Sequence, residues 1–290
     1  MSSSFAESLA HDAVHSPTPP SAARVWDKLR GGKDNYETDA ALSESLTDVS
    51  DDLARLALER PRFYARAVRH LAEECGIAQF IDISPGYPTT PDGVTATNLI
   101  AREARPGART MYVQDDGIVA AHLRALVADD QTLCIEARRT HTGPVIEAAS
   151  DFFDLSRRVA VLLRLDHLSG DDIASGYVGD LVDALCPGSF VVVSSITADG
   201  PFAAVALAAE RWNRASVAAV RKLTDEGPPI FTHDTQRLVP RTAHQLAAIL
   251  SAHHLTPLSP PLVSCSQWAA FPEPPRTEAV PDWVAVARKY

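Results

Sequence analysis

From residue 78 onward, short uninterrupted apolar runs alternate with stretches of helical spacing, and this feature constrains the fold more than any other. The runs are 78–84, 110–114, 132–137, 158–165 and 189–196. Helical patterns lie between them, around 94–104, 117–128, 143–150 and 174–186. A strand that is apolar on both sides is covered on both faces. Alternation with helices makes successive strands parallel and joins them by right-handed crossovers. The chain is therefore expected to be α/β, with a Rossmann-like sheet domain over residues 77–290. Further helices are expected at 201–223 and 241–253. The segment 255–271 is expected to close the sheet with one or two antiparallel edge strands, where its prolines are tolerated.

Upstream of the sheet, residues 1–20 are polar, small and proline-containing, which predicts disorder. Residues 21–76 are expected to form a helical N-terminal cap. Val25 and Leu29 share one helical face, and Gly31-Gly32 stops that helix. Over 50–76 the residues Leu53, Leu56, Phe63, Tyr64, Val68 and Leu71 recur at helical spacing. They predict one helix, or two with Pro61 in the first turn of the second.

With 46% apolar residues in 290, a sizeable core is available. The net charge of −10, with no Lys/Arg-rich run, argues against a nucleic-acid partner. The N-terminus lacks the basic and apolar regions of a signal peptide, and the longest apolar run is too short to span a bilayer. A soluble, cytoplasmic protein with a small-molecule ligand or substrate is expected, with its oligomeric state open. The four cysteines show no CxxC spacing and read as reduced thiols. His233 and Asp234 have no third ligand at sensible spacing, so no metal is expected.

An open α/β sheet holds its ligand outside the carboxyl ends of the strands. Here the first run reaches Asp82 and turns through Ser84, Pro85 and Gly86. Only Gly86 brings backbone freedom, while Pro85 fixes φ and removes a donor. Asp82 reads equally as a ligand-binding acid or as the cap of a turn.

The run 21–41 carries Arg24, Trp26, Asp27, Leu29, then Gly31, Gly32, Lys33, Asp34, Asn35, and Asp39 shortly after. This resembles the N-terminal signature of the S-adenosyl methyltransferase family common in actinobacteria, formerly a domain of unknown function. The resemblance continues through 62–83, the strand at 110–113, 186–199 and Trp268, covering essentially the whole chain after residue 20. It implies the class I methyltransferase fold, a seven-stranded sheet with S-adenosylmethionine at the strand C-termini. It also places Arg24, Lys33 and Asn35 over the cofactor pocket.

Within that resemblance the cofactor contacts differ. The family's first turn reads Asp-Ile-Gly-Thr-Gly, where this chain has Asp82, Ile83, Ser84, Pro85, Gly86. The acid that takes the ribose hydroxyls at the end of the second strand is Gln114, followed by Asp115 and Asp116. The acid that takes the adenine amino group is replaced by Arg138, which offers donors only. The fourth strand brings in Arg164, then Asp166 and His167. Asp166 and His167 read either as an acid/base pair or as a histidine packed at a strand end. Arg164 either faces the cleft with Arg138, making it positive, or pairs with Asp82 or Asp166.

Losing two charged hydrogen bonds at roughly 1.5–3 kcal/mol each predicts S-adenosylmethionine binding weakened about a thousandfold. The expected function is a family member with a degenerate cofactor site that binds or converts a small molecule without conventional methyl transfer. The alternatives are an active methyltransferase and a non-catalytic partner of an active homologue.

Overall fold

The computed structural model describes residues 20–88, 93–94, 96–138, 140–226, 237–269 and 278–290. The polar N-terminal stretch up to residue 19 and the pair His233 and Asp234 lie outside them. Five parallel strands come from the expected runs: β1 (Gln79–Ile83), β2 (Arg109–Gln114), β3 (Thr132–Glu136), β4 (Ala160–Arg164) and β5 (Phe190–Ile196). Two more, β6 (Leu255–Pro257) and β7 (Asp282–Lys289), complete a seven-stranded sheet in the order β3-β2-β1-β4-β5-β7-β6. β1, β4 and β5 are buried along nearly their whole length, as apolar runs without alternation require.

The segment 255–271 supplies one antiparallel edge strand, β6, as expected, while a second antiparallel strand comes from outside it. Only β6 lies in 255–271; the strand that pairs antiparallel with β5 over seven residue pairs is β7. Its run of Val284 to Ala287 is fully buried between β5 and β6. The run is short, ends in Arg288 and Lys289, and sits at the chain terminus, so pattern alone gave it little weight.

Three helices precede the sheet: α1 (Ala22–Leu29), α2 (Glu37–Thr47) and α3 (Asp52–Glu73). They share one apolar core with one face of the sheet. α3 is a single helix that runs through Pro61, not a pair. A proline inside a helix costs about 3 kcal/mol or more and removes the bond to the carbonyl four residues back. Each large buried apolar side chain contributes roughly 1.5–3 kcal/mol, and Leu53, Leu56, Phe63, Tyr64, Val68 and Leu71 are all buried on one face. Packing therefore carries the helix across the proline. The carbonyl left without its helical N–H is that of Ala57, one turn before Pro61.

The crossovers are α4 (Thr97–Ala104), α5 (Gly117–Val127), α6 (Gly143–Phe152), α7 (Asp171–Asp183), α8 (Ala204–Glu226) and α9 (Ala243–Ala252). Asp116 caps α5, accepting from the Ile118 and Val119 amides at 2.9 and 3.2 Å. Arg102 on α4 grips Asp129, just before β3, with two hydrogen bonds of 2.7 and 2.6 Å. Those bonds hold the Asp129 carboxyl down to about 2. The stability this contributes is present above the ordinary carboxylate range and is lost as pH falls toward 2. Because Asp129 is well exposed, solvent screening keeps it under about 1 kcal/mol. Arg102→Ala is expected to return Asp129 toward 3.8, as read by an NMR titration. An unchanged titration would show that the pair does not form in solution. Among the described residues, no helix is long and apolar enough to cross a membrane.

Candidate functional site

A cavity of about 90 Å³ lies where α1 and α3 cover the carboxyl ends of β1, β2 and β4. The helices contribute Trp26, Ala57, Arg60, Pro61 and Tyr64 to its wall. The strand ends contribute Ser84, Gly86, Gln114, Arg164, Asp166 and His167.

The turn after β1 is tight. Ser84 has a φ of +56°, in the left-handed region that a side chain rarely adopts, and Gly86 follows at +80°. The Ser84 amide donates to the Val113 carbonyl at 2.8 Å, which ties the turn to β2. Below the turn, Asp82 is buried and both its oxygens are engaged. Oδ1 accepts from Arg164 Nη1 at 2.7 Å, and Oδ2 accepts from the Thr97 hydroxyl at 2.7 Å. Arg164 also donates to the Ile83 carbonyl at 3.0 Å, and its guanidinium stacks 4.0 Å over the Tyr64 ring. Of the two arrangements open for Arg164, pairing with Asp82 is the one formed. Arg138 is exposed and does not line the cavity, so the alternative with two cleft-facing arginines is not the one formed. A side chain two residues beyond the end of β3 reaches water sooner than it reaches a cavity at the centre of the sheet.

Tyr64 donates to the Leu163 carbonyl, and its hydroxyl lies 2.9 Å from Ser194 Oγ. Burial pushes its hydroxyl well above the usual phenol range, so it stays protonated. At the end of β2, Gln114 is buried. Its amide donates to Asp115 Oδ1 at 3.3 Å, while its Oε1 is buried with no hydrogen-bond partner. Asp116 is turned toward the N-terminal helices: it accepts from Arg24 at 3.0 Å and from the Ser21 hydroxyl. Arg24 also bonds Asp39 at 2.7 Å, so Arg24 and Asp116 latch α1 and α2 onto the β2–α5 turn.

Asp166 and His167 do not pair with each other. Asp166 binds Arg60 and accepts from the Ile196 amide at 2.7 Å. Arg60 reaches Asp282 as well, at 3.4 Å. His167 Nε2 accepts from the Trp26 indole at 3.2 Å, and Nδ1 lies 2.8 Å from the Arg237 carbonyl. That pattern requires the neutral imidazole with its proton on Nδ1. Neither ring nitrogen is poised to take a proton from a ligand.

The Gly-Gly-Lys-Asp-Asn loop is organised by Asp27. Its Oδ2 accepts from the Asp34 amide at 3.0 Å and from Asn35 Nδ2 at 3.3 Å. A Cβ on Gly32 would stand 2.1 Å from Asp27 Oδ1, so any side chain there would displace the Asp27 carboxylate from the hydrogen bonds that organise the loop. Asn35 therefore faces the loop, and Lys33 is exposed. The structure thus gathers six of the sequence-derived site residues on one wall, with Asp82 directly behind it. Arg24 and Asp116 form the adjacent latch; Lys33, Asn35 and Arg138 lie away from the cavity. Sequence reasoning missed Arg60. The available signal was a charged residue next to Pro61 whose helical neighbours, Ala57 and Tyr64, are on the buried face.

Among the described residues, no group of three or more His, Cys, Asp or Glu side chains is placed to hold a metal ion. No curated protein matches the chain. Two solved structures resemble it over nearly the full length of both chains. A DUF574 family protein from Streptomyces avermitilis superposes with a TM-score of 0.79 at 26% identity, covering 94% of this chain and 98% of its own. A putative methyltransferase from Thermobifida fusca superposes with a TM-score of 0.77 at 28% identity, covering 93% and 95%. The family model described as S-adenosyl methyltransferase matches residues 10–290, nearly all of the sequence. With the seven-stranded sheet and the signature loop folded around Asp27, this chain belongs to the S-adenosyl methyltransferase family.

Proposed function

We propose that this family member binds a small molecule in the cavity beneath its N-terminal helices and does not hold S-adenosylmethionine in the family's usual way. The division into a helical cap, 21–76, and a sheet domain, 77–290, is part of this proposal. The observation that carries it is the Asp82–Arg164 pair at 2.7 Å. S-adenosylmethionine brings a sulfonium, an ammonium and a carboxylate, a net positive charge that acids in the site would favour. At about 5 Å and an effective dielectric near 20, one such charge contact is worth about 3 kcal/mol. Here the acid of β1 is neutralised by Arg164, the β2 acid is Gln114, and Asp116 is engaged by Arg24. Ser84 adds a side chain at the turn where the family presents glycine. The residues present do not fit the cofactor in that pose, and no methyl-transfer step is derived through it.

The ligand that suits the wall is neutral or weakly anionic, with a planar group. Trp26 and Tyr64 supply aromatic surface, while Arg60 and Arg164 supply N–H donors already balanced by carboxylates. His167 and Tyr64 both hold their protons in fixed hydrogen bonds, which favours binding, or a reaction that needs no general base, over proton abstraction.

One observation favours a second reading, an active methyltransferase with shifted contacts. Gln114 Oε1 is buried without a partner on a residue that lines the cavity, and it would accept from a ribose hydroxyl. Calorimetric titration with S-adenosylmethionine and S-adenosylhomocysteine separates the two. Dissociation constants above about 100 μM are expected, and low-micromolar affinity would overturn the proposal. Gln114→Asp restores an acid at the end of β2. It is expected to tighten S-adenosylmethionine binding about tenfold, the equivalent of 1.4 kcal/mol.

A further inference from the structure

At the opposite edge of the sheet, where the parallel strands begin, a second concavity of about 440 Å³ opens between the ends of α3, β4 and β5. That volume lies within the range of small-molecule sites. Gln79, Ser156, Arg157, Arg158 and Cys186 line it. Two further arginines approach from the sides: Arg105, just after α4, and Arg288 on β7, in register with the first residue of β5.

The three guanidiniums of Arg105, Arg158 and Arg288 are brought together over two glycines. Gly76 and Gly188 both have positive φ, +71° and +85°, so each is held in a conformation that side chains rarely adopt. A Cβ on Gly76 would stand 3.3 Å from Arg105 Nη2 and 3.5 Å from Arg158 Nη2. A Cβ on Gly188 would stand 3.0 Å from Arg158 Cδ and 3.6 Å from Arg288 Nη2. The backbone is thus shaped to leave room for converging cations. Arg105 is anchored by donating from Nε to the Ala72 carbonyl at 2.7 Å, which leaves its Nη groups for another partner. The floor is fixed by Gln79, whose amide exchanges 2.9 Å hydrogen bonds with the backbone of Asp154.

Among the described residues, none of Arg105, Arg157, Arg158 and Arg288 makes an ion pair, in a chain whose net charge is −10. Glu74 lies beside the Cys75 thiol and Asp154 beside Arg157, carboxylates near the rim that form no ion pair with the four arginines among the described residues. The Cys75 thiol, pushed up by burial, adds no negative charge. Four guanidiniums gathered without an ion pair in an otherwise acidic protein attract an anion from solution. Guanidinium forks match phosphate oxygens two at a time.

We propose that this groove is a binding site for a compact polyanion of the phosphate class, a di- or triphosphate group, separate from the cavity beneath the N-terminal helices. Arg158 is its central ligand, reached from both glycines, with Arg105 and Arg288 on either side. The test uses the full chain in low-salt buffer, titrated calorimetrically with inorganic phosphate, pyrophosphate and triphosphate, and with adenosine diphosphate. Pyrophosphate and triphosphate are expected to bind at least tenfold more tightly than phosphate, with affinity falling as salt is raised. Adenosine diphosphate tighter than pyrophosphate would identify the natural ligand as a nucleotide; equal affinity would identify the free phosphate group. Arg158→Ala is expected to weaken binding at least tenfold, and Arg158→Lys to recover only part of it, because an ammonium is not bidentate. The Arg158 side chain is exposed, so both variants fold normally. Arg124→Ala, an exposed arginine on α5, is expected to leave affinity unchanged. Absence of pyrophosphate binding at millimolar concentration, or an equal loss in Arg124→Ala, would overturn the site.

Discussion

Replacing Arg60 by methionine is expected to destabilise the protein by about 3–5 kcal/mol, the cost of leaving a buried charge without its partner. Arg60 is buried and holds two buried carboxylates, Asp166 and Asp282. Methionine fills much of its volume but pairs with neither. Burial already raises the Asp282 carboxyl, with Arg60 as the chief force pulling it back. Without Arg60 it rises further. A carboxyl whose folded value lies above its unfolded value contributes stability below about pH 4, and this is lost as pH climbs through the folded value. The deficit of the variant relative to the parent is therefore expected to be smallest near pH 4 and to grow toward pH 7. Urea denaturation across that range measures it. Adding Asp166→Asn and Asp282→Asn should recover most of the loss, since a neutral set tolerates burial. A variant as stable as the parent at neutral pH would show that the three charges are solvated in solution.

The second large effect is expected at Arg164. Arg164→Leu strands Asp82 in the sheet with only the Thr97 hydroxyl, at a cost of about 3 kcal/mol, or roughly 5–10 °C in Tm. The same change releases a carboxylate beneath the turn at Ser84. S-adenosylmethionine affinity is then expected to rise at least tenfold, because the Asp82 carboxylate is freed from its cation near the place where the cofactor's charge sits. Asp82→Asn added to Arg164→Leu should restore stability and abolish the gain in affinity. A fall in Tm with no change in affinity would separate the ion pair from cofactor choice and refute the observation on which the proposed function rests.

The five parallel strands and their crossovers were legible because burial on both faces leaves a continuous apolar run, and each run is bounded by its own turn residues. The signature over 21–41 was legible because Asp27 organises its loop locally: Gly32, Asp34 and Asn35 all bond or abut a side chain within eight positions. Local bonds leave local spacing. β7 was not legible, since its role depends on insertion between β5 and β6, a matter of topology and not of its own pattern.

The partners of the charged site residues were legible only in outline. Its place in a buried strand required that Arg164 face the cleft or pair with one of two acids; the fold chose Asp82, 82 residues earlier. Arg60 reads as one of many surface arginines until α3 lays it against Asp166, 106 residues away. Asp166 and His167 are adjacent in sequence and diverge in space, one toward Arg60 and the other toward Trp26. The types of residue and the edge of the sheet where they gather follow from spacing and hydrophobic period, which are properties of the chain. Which charge neutralises which, and so which carboxylates remain for a ligand, follows from distances of a few ångströms between distant segments. Coulombic and hydrogen-bond energies act over those distances, and no sequence interval encodes them.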